Sequence, residues 1–167
     1  MNATLCERVT LRYCPEKDRL WVQIAAGSEH RVFYVTARFI NALVRQWFSH
    51  PQCQVSETQW EVQSRKVLNE AKTAKYPATS TGNKEVREEP PLLNTSKLRF
   101  EADRTILQFE TLDGKIWVLP LQLADSVRFL RALRQQCLIA QWSLHAWPSW
   151  LKTLDPIESE PATVAIH

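Results

Sequence analysis

His50-Pro51-Gln52-Cys53 offers two possible metal ligands close together. A structural zinc needs three or four such ligands. Cys14, Cys137 or His30 would therefore have to converge on this pair. The same two side chains are also the nearest approach to a cysteine nucleophile with its base. Ser143 with His145 is a looser arrangement of that kind. A buried thiol near a helix end accounts for Cys53 without any chemistry. Glu88-Glu89 lies in a polar, proline-rich stretch where nothing would shift a carboxyl group, and it reads as solvated charge. Phosphate cradles need several glycines, so that backbone amides can approach the anion. The chain has three, Gly27, Gly82 and Gly114, all isolated, and it lacks a GxSxG turn. The expectation is therefore no catalytic residue, no metal and no cofactor.

Two sets of side chains suit binding instead. Arg128, Arg131 and Arg134 recur along one helical stretch, and Arg38 and Arg45 sit on its counterpart. Brought together, they would form a stripe for phosphates. Trp21, on the outer face of a strand, could stack a base. A net charge of +3 gives little whole-molecule attraction to nucleic acid. The second set is Trp142, Trp147, Trp150 and Leu151, drawn from a chain with seven tryptophans. Tryptophan anchors protein interfaces, and it also closes cores. A membrane-surface helix would want more basic residues than Lys152 alone.

The elements that must position these residues repeat. Residues 103–136 read as two strands, an Asp113-Gly114 turn and a helix after Pro120. Asp-Gly marks a hairpin because both central positions need positive φ. The same order occurs upstream: Asp18-Arg19 and Asp103-Arg104 each precede a strand, Gly27 answers Gly114, and RFINALVRQ at 38–46 echoes RFLRALRQQ at 128–136. Leu11-Arg12-Tyr13 matches Leu98-Arg99-Phe100. This is the pattern of a duplicated βββα unit. The predicted fold is α+β: two antiparallel three-stranded meanders packed with their helices in a pseudo-two-fold arrangement.

Residues 5–13 alternate as one half-buried strand, with Leu5, Val9, Leu11 and Tyr13 inward and Cys6, Arg8, Thr10 and Arg12 outward. Thr36 is placed to cap a helix whose apolar stripe is Phe39, Ile40, Leu43, Val44 and Trp47. Ser56-Glu57-Thr58-Gln59 opens a second helix, 57–75. Residues 76–96 read as a flexible linker in which Leu92-Leu93 either packs or docks. The longest helix, 122–142, is predicted to be central. Residues 155–167 read as a disordered tail. The chain is thus predicted to be one domain, 1–154, made of halves at 1–50 and 97–142. Each half has only about 40 residues, too few to bury much surface alone.

The four cysteines form no CxxC and suggest no disulfide framework. The start MNATLCERV lacks a signal-peptide pattern. No apolar run reaches membrane-spanning length. A cytoplasmic location is the expectation, in which the sequons at Asn2 and Asn94 carry no meaning. The predicted function is a non-catalytic protein-interaction module, an adaptor or accessory subunit. The alternative is a nucleic-acid-binding accessory protein, with a small enzyme on His50 and Cys53 third. Open sheet edges would also permit a homodimer.

Overall fold

A computed structural model describes residues 3–51, 53, 57–71, 89–93, 95–152 and 162–166. The fold is α+β, with two four-stranded sheets and helices packed between and beside them. The strands are β1 (Ala3–Leu5), β2 (Arg8–Cys14), β3 (Arg19–Ala26), β4 (Glu29–Val35), β5 (Ser96–Phe100), β6 (Arg104–Glu110), β7 (Ile116–Gln122) and β8 (Ala162–Ala165). The helices are α1 (Ala37–Ser49), α2 (Glu57–Ala71), α3 (Leu123–Ile139) and the short α4 (Ser149–Lys152). Among the described residues, no helix is long and apolar enough to cross a membrane.

Each half supplies an antiparallel meander followed by a helix: β2-β3-β4 then α1, and β5-β6-β7 then α3. The turns form where left-handed backbone is cheapest, with Gly27 at φ 58° and Gly114 at φ 74°. Thr36 caps α1 as expected, its Oγ1 accepting from the Phe39 N–H at 3.2 Å.

The sheets expected to be three-stranded are four-stranded, because each meander gains an edge strand from the other end of the chain. β1 lies parallel to β7, and β8 lies antiparallel to β2. The expected single strand over 5–13 breaks at Cys6-Glu7. The Cys6 N–H donates to Val118 O in one sheet, and the Glu7 N–H donates to Ala25 O in the other, both at 2.8 Å. The chain thereby passes from sheet to sheet and changes parity. Leu5, expected inside, is 63% exposed, and Cys6, expected outside, is 3% exposed.

The tail reading over 155–167 is corrected for 162–165. Val164 is buried, and Ile166 N–H donates to Glu7 O. The alternation Ala-Thr-Val-Ala supplies one inward β-branched residue, enough to close the free edge of β2. The linker reading is likewise corrected at its end. Tyr34 and Leu93 bond across a short parallel bridge beside β4, and Leu93 is buried. Residues 76–88 and 94, 72–75 of the second helix, and 155–161 of the tail lie outside the described residues.

α3 packs against β2 and β8 of one sheet and against β6 and β7 of the other. This explains why it is buried on most sides, through Val127, Phe129, Leu130, Ala132, Leu133 and Cys137. α1 is peripheral. At matching positions of the sequence echo, Ala42 and Gln46 are exposed where Ala132 and Gln136 are buried. The buried Gln136 ties α3 to the first sheet. Its Oε1 accepts from the Tyr13 N–H at 2.8 Å, just beyond the stretch of β2 that β8 pairs. Trp47 of α1 stacks on Phe129 at 6.0 Å and meets Phe100 edge-on at 6.3 Å, joining both helices to the second sheet.

Candidate partner-binding site at the end of the central helix

α3 ends in a Schellman motif. Gln141 takes φ 58°, its N–H donates to Leu138 O, and the Trp142 N–H donates to Cys137 O, both at 3.0 Å. The turn throws Trp142 across the β2–β3 turn. There the indole N–H donates to Asp18 Oδ1 at 3.0 Å, and the Tyr13 hydroxyl donates to the same oxygen at 2.9 Å. Tyr13 and Trp142 meet edge-on at 5.9 Å. The chain then returns through Trp147 and Pro148 into α4. Between the end of α3 and this returning segment lies a cavity of about 440 Å³.

Trp142, Trp147, Leu138 and Leu144 form the apolar wall of the cavity, and Arg134 and Lys152 bring its positive charge. Leu138 is 39% exposed on this wall. The Arg134 guanidinium is half-buried. Its Nη2 donates to Lys152 O at 3.5 Å, and its Nε is buried with no hydrogen-bond partner among the described residues. Burial pushes the Arg134 guanidinium below its ordinary pKa. Cys137 also lines the cavity, but desolvation pushes its thiol up to about 12, so it is a poor nucleophile at neutral pH.

The predicted partner-binding tryptophans therefore divide. Trp142 is half-exposed and Trp147 reaches the cavity from a buried position. Trp150 and Leu151 are core residues: Leu151 is fully buried, and Trp150 packs on Trp60 at 6.0 Å and Phe48 at 6.1 Å. That aromatic cluster ties α4 to α1 and α2.

The arginines divide too. Arg38 and Arg45 are exposed on α1, whereas Arg128, Arg131 and Arg134 are half-buried on α3. Arg128 Nη1 sits 2.9 Å from Oδ1 of the buried Asp125. The five arginines thus form an exposed pair on α1 and a half-buried set on α3, not one uniformly exposed stripe. Trp21 is half-buried on the outer face of β3, with the Arg12 guanidinium 5.4 Å from its ring centroid.

His50 stacks on Phe100 at 4.0 Å, and the nearby Cys53 is a buried thiol pushed up to about 11 by desolvation. The Cys53 N–H donates to His50 O, so the two belong to one backbone turn. His30 is exposed at the start of β4, and Cys14 is half-buried on β2. Among the described residues, no three His, Cys, Asp or Glu side chains come together as a metal site requires. Ser143 and His145 are both exposed. Glu89 pairs with Lys17 at 2.9 Å, and that hydrogen bond lowers its carboxyl pKa.

No protein-family model, curated protein or solved structure matches this chain.

Proposed function

We propose that this protein is a non-catalytic interaction module, an adaptor or accessory subunit that engages a protein partner at the cavity between α3 and α4. The observation that carries the reading is the wall of that cavity. An exposed leucine, two tryptophan edges and an under-bonded arginine face one opening, and buried aromatic and arginine side chains are the usual anchors of protein interfaces. The buried thiols fit a binding role better than nucleophilic chemistry, since burial raises Cys6, Cys53 and Cys137 to values of about 12, 11 and 12. On the same reading the two meander-and-helix halves are copies of one unit, with α3 recruited to the centre. A cytoplasmic complex is the proposed setting.

The test is affinity capture with quantitative mass spectrometry. Leu138→Arg should abolish retention of the partner by blocking the cavity without touching the core. Leu112→Arg, on the β6–β7 turn where Leu112 is 86% exposed, should retain it. Equal retention by both variants sinks the reading. Trp150→Ala is a poor probe, because its loss would unfold the α1–α2–α4 cluster.

One observation favours a nucleic-acid role. The outer face of the β2–β3 pair presents Arg8 and Arg12 beside Trp21, with Arg12 stacked over the ring. This is an aromatic platform with adjacent cations, the arrangement that single strands use. Binding of a fluorescent oligonucleotide that weakens steeply with salt, and is lost in Arg8→Ala/Arg12→Ala, would support it. Salt-independent or absent binding removes it.

A further inference from the structure

Arg128 and Arg134 lie on the same helix, but among the described residues only Arg128 has a carboxylate. It is held by the buried Asp125 at 2.9 Å. Arg134 reaches the Lys152 carbonyl, at 3.5 Å, and its Nε is buried with no acceptor. No Asp or Glu is among the described residues lining its cavity. An arginine keeps its charge in any protein environment and presents a planar fork of donors. The buried Nε is closed to a ligand, but the Nη groups of a guanidinium held half out of water keep donors unspent; they are a docking point for an anion, and a carboxylate matches them with two parallel bonds.

We infer that this cavity takes an acidic, apolar peptide segment of a partner protein, with a partner carboxylate side chain docked on the Arg134 guanidinium. The inference rests on the adaptor reading and names the chemistry of its partner. Lys152 supplies a second positive charge at the rim, which suits a segment carrying more than one acid. Leu138 and Leu144 offer the surface for an adjacent apolar side chain. Gln141 and Ser143, both exposed at the mouth, supply polar groups for the backbone of an extended peptide. A free small carboxylate would use Arg134 but would leave these features without a role.

The experiment titrates the full chain, followed by tryptophan fluorescence, with a pool of N-acetylated, C-amidated short peptides combining Glu with Leu and Phe. A matched pool carries Gln in place of Glu. The Glu pool should bind saturably with Kd below about 1 mM, and the Gln pool should bind at least ~10-fold more weakly. Arg134→Gln should reproduce that loss for the Glu pool. Because Arg134 is half-buried, Arg134→Lys is measured beside it. It keeps the charge but loses the fork, and should bind at an intermediate level, with circular dichroism confirming that both variants fold.

Equal binding of the two pools, no saturable binding of the Glu pool, or undiminished binding by folded Arg134→Gln overturns the inference. Hexanoate binding as tightly as the peptides overturns the assignment to a peptide. The two readings fail separately. If the adaptor reading alone is wrong, Glu peptides bind but Leu138→Arg leaves captured proteins unchanged. If the carboxylate inference alone is wrong, Leu138→Arg loses a partner that Arg134→Gln keeps.

Discussion

Asp125 is 1% exposed, and its charge is tolerable there because Arg128 reaches it within the first turn of α3. A carboxylate near a helix N-terminus also gains from the helix dipole. Removing the cation while leaving the buried anion should be costly. Arg128→Met is expected to destabilise the protein by about 2–4 kcal/mol in urea unfolding, since a buried carboxylate loses the cation that offsets its charge. Adding Asp125→Asn should recover much of that loss. A loss below about 0.5 kcal/mol would mean the pair behaves as an ordinary surface contact.

The buried thiols make a second prediction at this scale. Desolvation holds Cys6 and Cys137 near 12, against an ordinary value of 9.0. Below the ordinary value both folded and unfolded chains keep these protons, so the thiols add no pH dependence. Above it the unfolded chain releases protons that the folded chain retains, and stability falls as pH rises. The slope is up to about 1.4 kcal/mol per pH unit for each thiol. Thermal melts across the alkaline range should show this decline, and Cys6→Ala/Cys137→Ala should show a shallower one. Parallel slopes for the two proteins would contradict the burial argument.

At the scale of elements, hairpins and helices were largely legible. Asp-Gly and Ala-Gly marked the turns, Thr36 announced the start of α1, and the apolar stripe of 39–47 placed its buried face correctly. The edge strands were not legible, for a physical reason. Residues 5–13 alternate apart from Glu7, which falls in the inward row, and one charged residue does not by itself separate a strand that crosses between sheets at Cys6-Glu7 from a single strand with a local bulge. β8 is four residues in a stretch rich in Pro and Glu, so its pattern is too short to register. Its contribution can be measured. Val164 is 5% exposed, and Val164→Asp puts a charge at the buried position of the β2 edge. The loss of buried valine alone is worth about 1.5–3 kcal/mol, so Tm should drop clearly. An uncovered β2 edge should also promote self-association, visible by light scattering. An unchanged Tm would show that β8 adds nothing to the sheet.

The candidate site was half legible at this scale. Tryptophans near the C-terminus were a visible signal, but the sequence could not distinguish Trp150, which closes the core, from Trp142, which stands at the cavity. That distinction depends on Phe48 and Trp60 arriving from α1 and α2. Arg134 differs locally from Arg128 only in lacking an acid three residues earlier, a mark too weak to single it out. The rest of the difference is the chain that encloses it.

For the whole molecule, the exchange of edge strands decides how the chain folds. β1 comes from the first half and completes the second sheet, while β8 follows the second half and completes the first. Phe33 of β4 packs on Phe109 of β6 at 5.5 Å, and Arg31 pairs with Asp113 at 3.0 Å across the two hairpins. The ion pair is exposed and contributes little; the shared apolar interior, with α3 against both sheets, is what binds the halves. A fragment ending at residue 75 keeps the first meander but loses α3, β8 and the sheet that β1 joins. A fragment starting at residue 89 keeps α3 but leaves it without the β2 surface that it buries against. Neither should fold alone, because each leaves open to water the apolar surface that it buries against the other, and what remains does not offset its chain entropy. Expressed singly, each should give collapsed amide resonances in a two-dimensional NMR spectrum. Mixed after refolding together, they should restore the dispersed spectrum of the intact chain, since β1 and β8 then find their sheets in trans. A dispersed spectrum from either fragment by itself would mean that a half holds its own core, and that the interlocked strands decorate a fold that does not need them.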